Sequence, residues 1–570
     1  MEVMQRQLRF FLQEGLHESA ELMAQLLLAA ESTLPDVDAM QHAENMILLA
    51  DAYRGTKQYR RALAEYRAAL QLASHAGKSG IGRSGFGGVL GAAEQTPEGT
   101  GRIDENEVKY RMAQCHLSLN EMRAALQELE TVPSRARTLA MNLCLARLYQ
   151  YHGYDRAAIA CHRECLRQCP YMLECHVALA RLRTPTREIQ DLLPMPPPPV
   201  FGSRDLSTDP LDPALWLQQF VEGHVAAAAH EHRKARAHWG ALQERFPGAQ
   251  HLMLEQAKAE AASDAVSDAC VTYQKVRLMD PGILTQMDRY AFLLRSQGEI
   301  ADLNKLTHEL LSTDYRCPES WVASAIFWEA REDLPKALTY ADKAIKANDR
   351  HGLAYYIRGN LCLSMGRAEA AVAAFRRSLQ LDPTLQGFEG LVKASLSVAK
   401  PKEALVVAKE AAKAMPGSAR AVCLPGVAYM HLDQGQRAHA QFERALAVDP
   451  KCLEAILGLA ELYQMQDRLG DAQQLLQRHL ETHKKDSVHS RLAGVLMAQR
   501  KHSEALSHFQ IALAMNPRSK EAQAGLARLE KLMKGLDPDA EEDELEEEDE
   551  GQEGDDVDDG GEDEGAGAFM

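Results

Sequence analysis

In the first 30 residues, Leu8, Phe11, Leu12, Leu16, Leu22, Leu26 and Leu27 recur at the spacing that gathers apolar side chains on one face of a helix. Nothing before them in the sequence covers that face. Two outcomes stay open: it packs on the helices that follow, or it joins a second copy of the chain. Further on, small and apolar positions repeat on a longer period. Pro247, Pro281, Pro383, Pro450 and Pro517 are separated by 34, 102, 67 and 67 residues, or one, three, two and two units of about 34. Aligning the chain on these prolines brings out other fixed positions. The stretch from Gly352 has Tyr355 at position 4, Gly359 at 8, Gly366 at 15, Ala371 at 20, Phe375 at 24, Ser378 at 27 and Pro383 at 32. The stretch from Ala419 answers with Gly426, Ala438, Phe442, Ala445 and Pro450. The one from Asp486 has Ala493, Ala505, Phe509 and Pro517, and the one from Trp216 has Gly223, Ala235, Trp239 and Pro247.

Each position has a physical reason. Two antiparallel helices pack closely only where side chains are small, which explains Gly or Ala at 8 and 20. The aromatic at 24 fills the space beside them. A Gly or polar residue near 15 makes the turn, and Pro at 32 ends the second helix because it lacks an N–H and clashes with the preceding turn. This is the tetratricopeptide pattern, so the expected fold is all-α: an α-solenoid superhelix of stacked helix pairs. Units are expected near residues 43, 106, 139, 173, 216, 250, 284, 318, 352, 385, 419, 453 and 486. The 173 unit is degenerate after Ala180, and the 385 unit is weak at position 8, where Val392 sits. Pro425 lies inside a first helix, where a kink or a late start is expected.

The array divides as follows. Residues 1–42 form N-terminal helices for capping or dimerisation, and 43–75 the first repeat. Residues 76–104 are a Gly-rich insert expected to be flexible, and 105–193 hold repeats two to four. Residues 194–213 are a stiff Pro-rich linker, 214–519 carry nine repeats, and 520–535 make a capping helix with a polar outer face. Residues 536–570 cannot bury enough apolar surface to fold, so an acidic disordered tail is expected.

Charge sharpens this division. The net charge of −17 comes from the tail: 19 of the 81 acids lie between Asp537 and Met570 with no Lys or Arg, which leaves 62 against 64 bases elsewhere. A near-neutral body argues against nucleic-acid binding. Eleven Cys without a CxxC pair suit reduced thiols in the nucleus or cytoplasm. No apolar run approaches the ~18 residues that cross a bilayer.

Several motifs suggest chemistry and are better read otherwise. GIGRSG at 80–85 matches a dinucleotide fingerprint, and Gly77-Lys78-Ser79 the end of a P-loop, but Leu72 stands where the P-loop needs Gly and no strand precedes. Cys161, Cys165, Cys169, Cys175 and His176 could suit zinc, yet Cys165 occupies small position 27, which favours core packing. His224, His230, His232 and His238 lack the HExxH spacing because Lys234 intervenes, and read as a solvated helical face. No catalytic, cofactor or metal site is expected. The concave groove is the expected protein-binding surface, with Lys258, Arg295, Tyr356, Asn360 and Lys393 among Asp288, Glu319, Glu329 and Glu461. It would grip a peptide, stand solvated, or be filled by a neighbouring subunit.

EGLHESAELMAQLLL at 14–28, NEVKYRMAQCH at 106–116, VPSRART at 132–138, CLRQCP at 165–170 and GRAEAAVAAFRRSLQLDP at 366–383 resemble the subunit-seven family of the anaphase-promoting complex in order and spacing. The acidic tail fits as well. The resemblance implies a non-catalytic scaffold in a cell-cycle-regulated ubiquitin ligase. It implies homodimers joined through the N-terminal repeats, here the Leu8, Phe11, Leu12, Leu16, Leu22 and Leu26 face. It also implies stacking on other repeat subunits and a lobe that holds coactivators. The alternative is a peptide-binding adaptor, such as a co-chaperone or cargo carrier.

Overall fold

The computed structural model describes residues 1–31, 38–80, 103–193, 213–480, 485–517 and 519–533. These form 29 α-helices and a short 3-10 turn at Ser134–Ala136, with no strand among the described residues. The expected acidic tail (536–570) and the expected linker (194–213), except its last residue, lie outside them. So does most of the Gly-rich insert (81–102), although the helix Tyr59–Gly80 runs further than the expected start of that insert at residue 76.

The chain divides into two compact units, Met1–Ala347 and Asn348–Met570. In the first, Glu2–Gln13 and His17–Glu31 precede the pair Ala39–Gly55 and Tyr59–Gly80. Further pairs begin at Glu105, Leu139, Leu173, Pro213, Gln250, Met287 and Pro318. The second unit holds pairs that begin at Gly352, Leu385, Ala419, Leu453 and Asp486, then the single helix Lys520–Met533. That last helix buries Ala522 and Leu529, but Leu532 and Met533 stand exposed at its end, so its outer face is not purely polar.

Local chemistry sets the helix ends. Second helices stop at Arg245, Met279, Leu381, Val448 and Met515, each two residues before a repeat proline. Between the helices of a pair the chain turns through one left-handed residue: Gly366, Ala399, Asp433, Asp467 and Arg500 in the second unit. The turn closes on the preceding carbonyls, as when Arg367 N–H donates to Cys362 O at 2.8 Å and Gly366 N–H to Leu363 O at 3.1 Å. Ala399, at φ 57°, is neither Gly nor polar and is held there against the usual Cβ penalty of roughly 1–2 kcal/mol. The helix containing Pro425 does not start late. It begins at Ala419, where Ser418 Oγ accepts from Ala421 N–H at 3.4 Å.

Packing between pairs rests on one recurring contact. Phe375, fully buried, lies across Gly359 of its own repeat, where a Cβ would sit 2.7 Å from the ring. Gly390 of the next repeat covers its other side, where a Cβ would be 2.5 Å away. Phe442 is held in the same way between Gly426 and Gly458, each leaving 2.7 Å. Trp239 lies on Gly223, and Phe509 against Gly525 of the terminal helix. Ala371 and Ala493 are fully buried beside these rings. The 385 repeat is not weak at position 8: its position 24 is Ala408 and not an aromatic, and buried Val392 fills that space in one core with Ala404 and Ala408.

Candidate functional site

The N-terminal helices are fastened to the first repeat. Leu8, Ala20, Ala24 and Leu27 are fully buried in one core with Ala50, Tyr53 and Tyr66. Phe11 and Leu12 are half-buried against the same core. The buried Glu31 carboxylate accepts from Asn45 and pairs with His42 Nδ1 at 2.8 Å, while Gln5 donates to Asn45. Leu8 thus belongs to the chain's own interior and not to an uncovered face. Leu16, Leu22 and Leu26 point outward at 49, 64 and 63 % exposure, joined by Phe10 at 50 %. The apolar pattern of the first 30 residues serves two surfaces, and helical periodicity alone did not separate them.

The expected groove residues fall in both units. In the first, Arg295 Nη2 pairs with Glu329 Oε1 at 2.9 Å, and Lys258 is half-buried beside Glu255. Burial raises the Glu329 carboxyl above its ordinary value, against the pull of Arg295. Burial also works to raise Glu255, but Lys258, His224 and His251 outweigh it and hold that carboxyl down. In the second unit, the Tyr356 ring lies 5.8 Å from Phe375, Asn360 is half-buried, and Lys393 is exposed with no ion pair among the described residues.

Sequence reasoning missed how the first helices of the second unit share charge. Arg420 pairs with Glu389 of the repeat before and Glu454 of the repeat after, both at 3.1 Å. Arg491 bridges Glu461 at 3.3 Å and Glu521 at 3.2 Å in the same manner. Each arginine crosses three successive first helices, so these charges are spent within the array. The signal was the recurrence of opposite charges on one face of neighbouring first helices, at positions 2, 5, 6 and 9.

The histidine and cysteine clusters divide between interior and surface: His224 is buried, while His230, His232, His238 and Cys169 are half-buried. The His224 ring is not solvated: it lies 4.6 Å from Phe220 and 4.7 Å from Trp239. Burial pushes it down to about 3, and pushes His162 and His232 down to about 4. Cys161, Cys165 and Cys175 are buried free thiols, and a hydrogen bond with Cys165 together with burial pushes the Cys175 thiol up. No group of three or more His, Cys, Asp or Glu side chains could hold a metal ion among the described residues. Among these residues no helix is long and apolar enough to cross a membrane.

Histidines held neutral by burial make stability depend on pH in a definite direction. The unfolded chain takes up protons near pH 6.5, whereas folded His224 does so only near pH 3. Stability is therefore full above pH 6.5 and falls as the pH drops toward the folded value. His224→Phe keeps a ring against Phe220 and Trp239 but removes the titration. Between pH 7 and 5 the variant should lose about 2 kcal/mol less than the parent in urea unfolding. Equal losses would remove His224 from the acid response.

The tetratricopeptide repeat family matches residues 43–75, 328–385, 429–494 and 491–554. The chain is 40% identical over 543 residues to anaphase-promoting complex subunit 7 of Arabidopsis thaliana, which covers 95% of this chain and 96% of that one. It is 27% identical to anaphase-promoting complex subunit 7 of Homo sapiens, covering 93% and 92%. Among solved structures it is similar to the crystal structure of the APC/C hetero-tetramer Cut9-Hcn1, with a TM-score of 0.57, 18% identity, and 92% and 96% of the two chains covered. That last likeness speaks for the fold alone. Taken with the repeat architecture, the near full-length identity means that this chain belongs to the anaphase-promoting complex subunit 7 family.

Proposed function

We propose that this chain is a non-catalytic scaffold subunit of the anaphase-promoting complex, a ubiquitin ligase that controls mitotic progression in the nucleus and cytoplasm. It pairs with a second copy through its N-terminal helices, stacks on other tetratricopeptide-repeat subunits, and helps to form the lobe that receives a coactivator. Its mechanism is geometric. Repeats locked by aromatic–glycine contacts hold docking faces at set distances. The observation that carries this reading is the use of Arg420 and Arg491 inside the array, which stiffens the second unit and leaves fewer groove charges for a peptide. Self-pairing is supported by Leu16, Leu22 and Leu26, which stay exposed after the inner face of the same helices is satisfied.

Light scattering on the full chain tests the pairing. The parent should run as a dimer, and Leu22→Glu with Leu26→Glu as a monomer of unchanged helix content. A parent that is monomeric at micromolar concentration would overturn it. Cullin and RING subunits should co-purify with the tagged chain from its own cells, and a chain recovered without them would contradict the assignment to the ligase.

A further inference from the structure

The repeat that begins at Leu173 is truncated: its second helix is only Thr186–Gln190. The next helix, Pro213–Ala228, packs directly on Leu173–Arg181. A concavity of about 520 Å³ lies at this junction, between these two helices and the helices Leu139–His152, Asp155–Gln168 and Gln250–Ala262. None of the groove residues expected from sequence lines it.

The lining has two parts. Leu143, Val177 and Phe220 make an apolar wall large enough for a leucine-sized side chain. Arg147, Arg181 and His251 stand around it. Arg147 is already neutralised by Glu174 at 2.6 Å. Arg181 is exposed and makes no ion pair among the described residues, though its charge adds to those that hold the nearby Glu255 carboxyl down, so the lining itself carries one more cation than carboxylate beside an apolar wall. His162 also lines it. That residue is 2 % exposed, its Nδ1 meets Cys175 Sγ at 3.4 Å, and its Nε2 is buried without a hydrogen-bond partner. A buried polar atom left unpaired costs about 1–3 kcal/mol, and a peptide group entering the pocket would satisfy it. Acidic segments with a single apolar side chain match all three features: a wall for the side chain, a cation for the carboxylate, and an imidazole for the backbone.

We propose that this junction pocket binds a short acidic peptide segment of another protein, with an apolar side chain against Leu143, Val177 and Phe220 and a carboxylate on Arg181. The site goes beyond the scaffold role and does not depend on self-pairing. It owes its existence to the lost second helix, which lets helices from both sides of residues 194–212 line one hollow.

Fluorescence anisotropy on the full chain decides it. The probe is a fluorescein-labelled decapeptide with one leucine flanked by two acids on each side. Its controls replace the acids with lysine, or the leucine with glycine. The acidic leucine peptide should bind, and both controls should bind at least about tenfold more weakly. Arg181→Gln and, separately, His251→Gln change exposed side chains without setting a new carboxylate beside the buried Glu255, so each should weaken binding about fivefold with an unchanged melting temperature. Equal binding of the lysine peptide, equal binding of the glycine peptide, or parental affinity in both variants would each overturn the proposal. A synthetic peptide of residues 537–550 runs in parallel. If it binds more tightly than the decapeptide, the occupant is the chain's own acidic segment and the assignment to another protein falls.

Discussion

Phe442→Ala should lower the stability of the second unit by about 3–5 kcal/mol, the usual cost of deleting a fully buried phenylalanine ring. The ring is 0 % exposed and is gripped from two repeats at once, by Gly426 on one side and Gly458 on the other. Its loss therefore opens both the inside of a repeat and the joint to the next. The same geometry predicts the sign of substitutions around it. Gly426→Ala and Gly458→Ala each force a methyl to within 2.7 Å of the ring and should cost about 1–3 kcal/mol alone. In the Phe442→Ala background the same methyls enter a vacated space, so their cost should vanish or reverse. The expected coupling is about 1–3 kcal/mol in a double-mutant cycle. Gly494→Ala is the control. It is helical with nothing within 4 Å of a new Cβ, and should gain about 0.4–1 kcal/mol. Urea unfolding followed by circular dichroism measures all six variants. Simple additivity across the cycle would show that the ring and the glycines are not one contact.

Asp51→Ala should be nearly as damaging, by about 3 kcal/mol, for an electrostatic reason. Asp51 receives the hydroxyl of fully buried Tyr66 from the second helix of its own repeat. It also receives Arg111 Nη1 at 2.6 Å from the helix Glu105–Ser118. Arg54, one turn along, donates to Gln114 at 2.9 Å and reinforces the same joint. Burial works against the Arg111 charge, but the Asp51 and Glu107 carboxylates outweigh it and hold the guanidinium above its ordinary value. Burial and then the Asp51 charge push the Tyr66 phenol up, which keeps it a neutral donor. Removing the carboxylate leaves the buried Tyr66 hydroxyl without its acceptor and takes from Arg111 its more buried partner, with Glu107 at 3.3 Å remaining. This joint adds to the apolar packing of Val108, Met112 and Cys115 in the core of the first repeat. Thermal melting and limited proteolysis between residues 80 and 103 read the effect. A variant that melts with the parent and resists cleavage equally would show that apolar packing alone holds the joint.

Much of this was legible in the chain. The period of 34, the prolines that end second helices and the pairing of Gly359 with Phe375 need only local rules: which residues break a helix, and which let two helices approach. The second glycine of each grip, Gly390 or Gly458, was visible as a recurrence at position 6 but had no meaning until the neighbouring repeat was in place. Val392 looked like a defect only because its partner at position 24, Ala408, is small where other repeats carry an aromatic ring. The histidines at 224–238 looked solvated because they are polar, yet His224 turns inward between Phe220 and Trp239.

By itself the sequence determined the helical class, the repeat length and the kinship with the subunit 7 family, because periodicity and small-residue positions are properties of single turns and single helix pairs. Only the tertiary structure decided which half of the N-terminal apolar set is interior, which groove charges are already paired, and that a truncated repeat leaves a pocket. Those facts depend on side chains far apart in the chain meeting at a fixed distance. Burial and charge pairing are set by that meeting and not by the identity of any one residue.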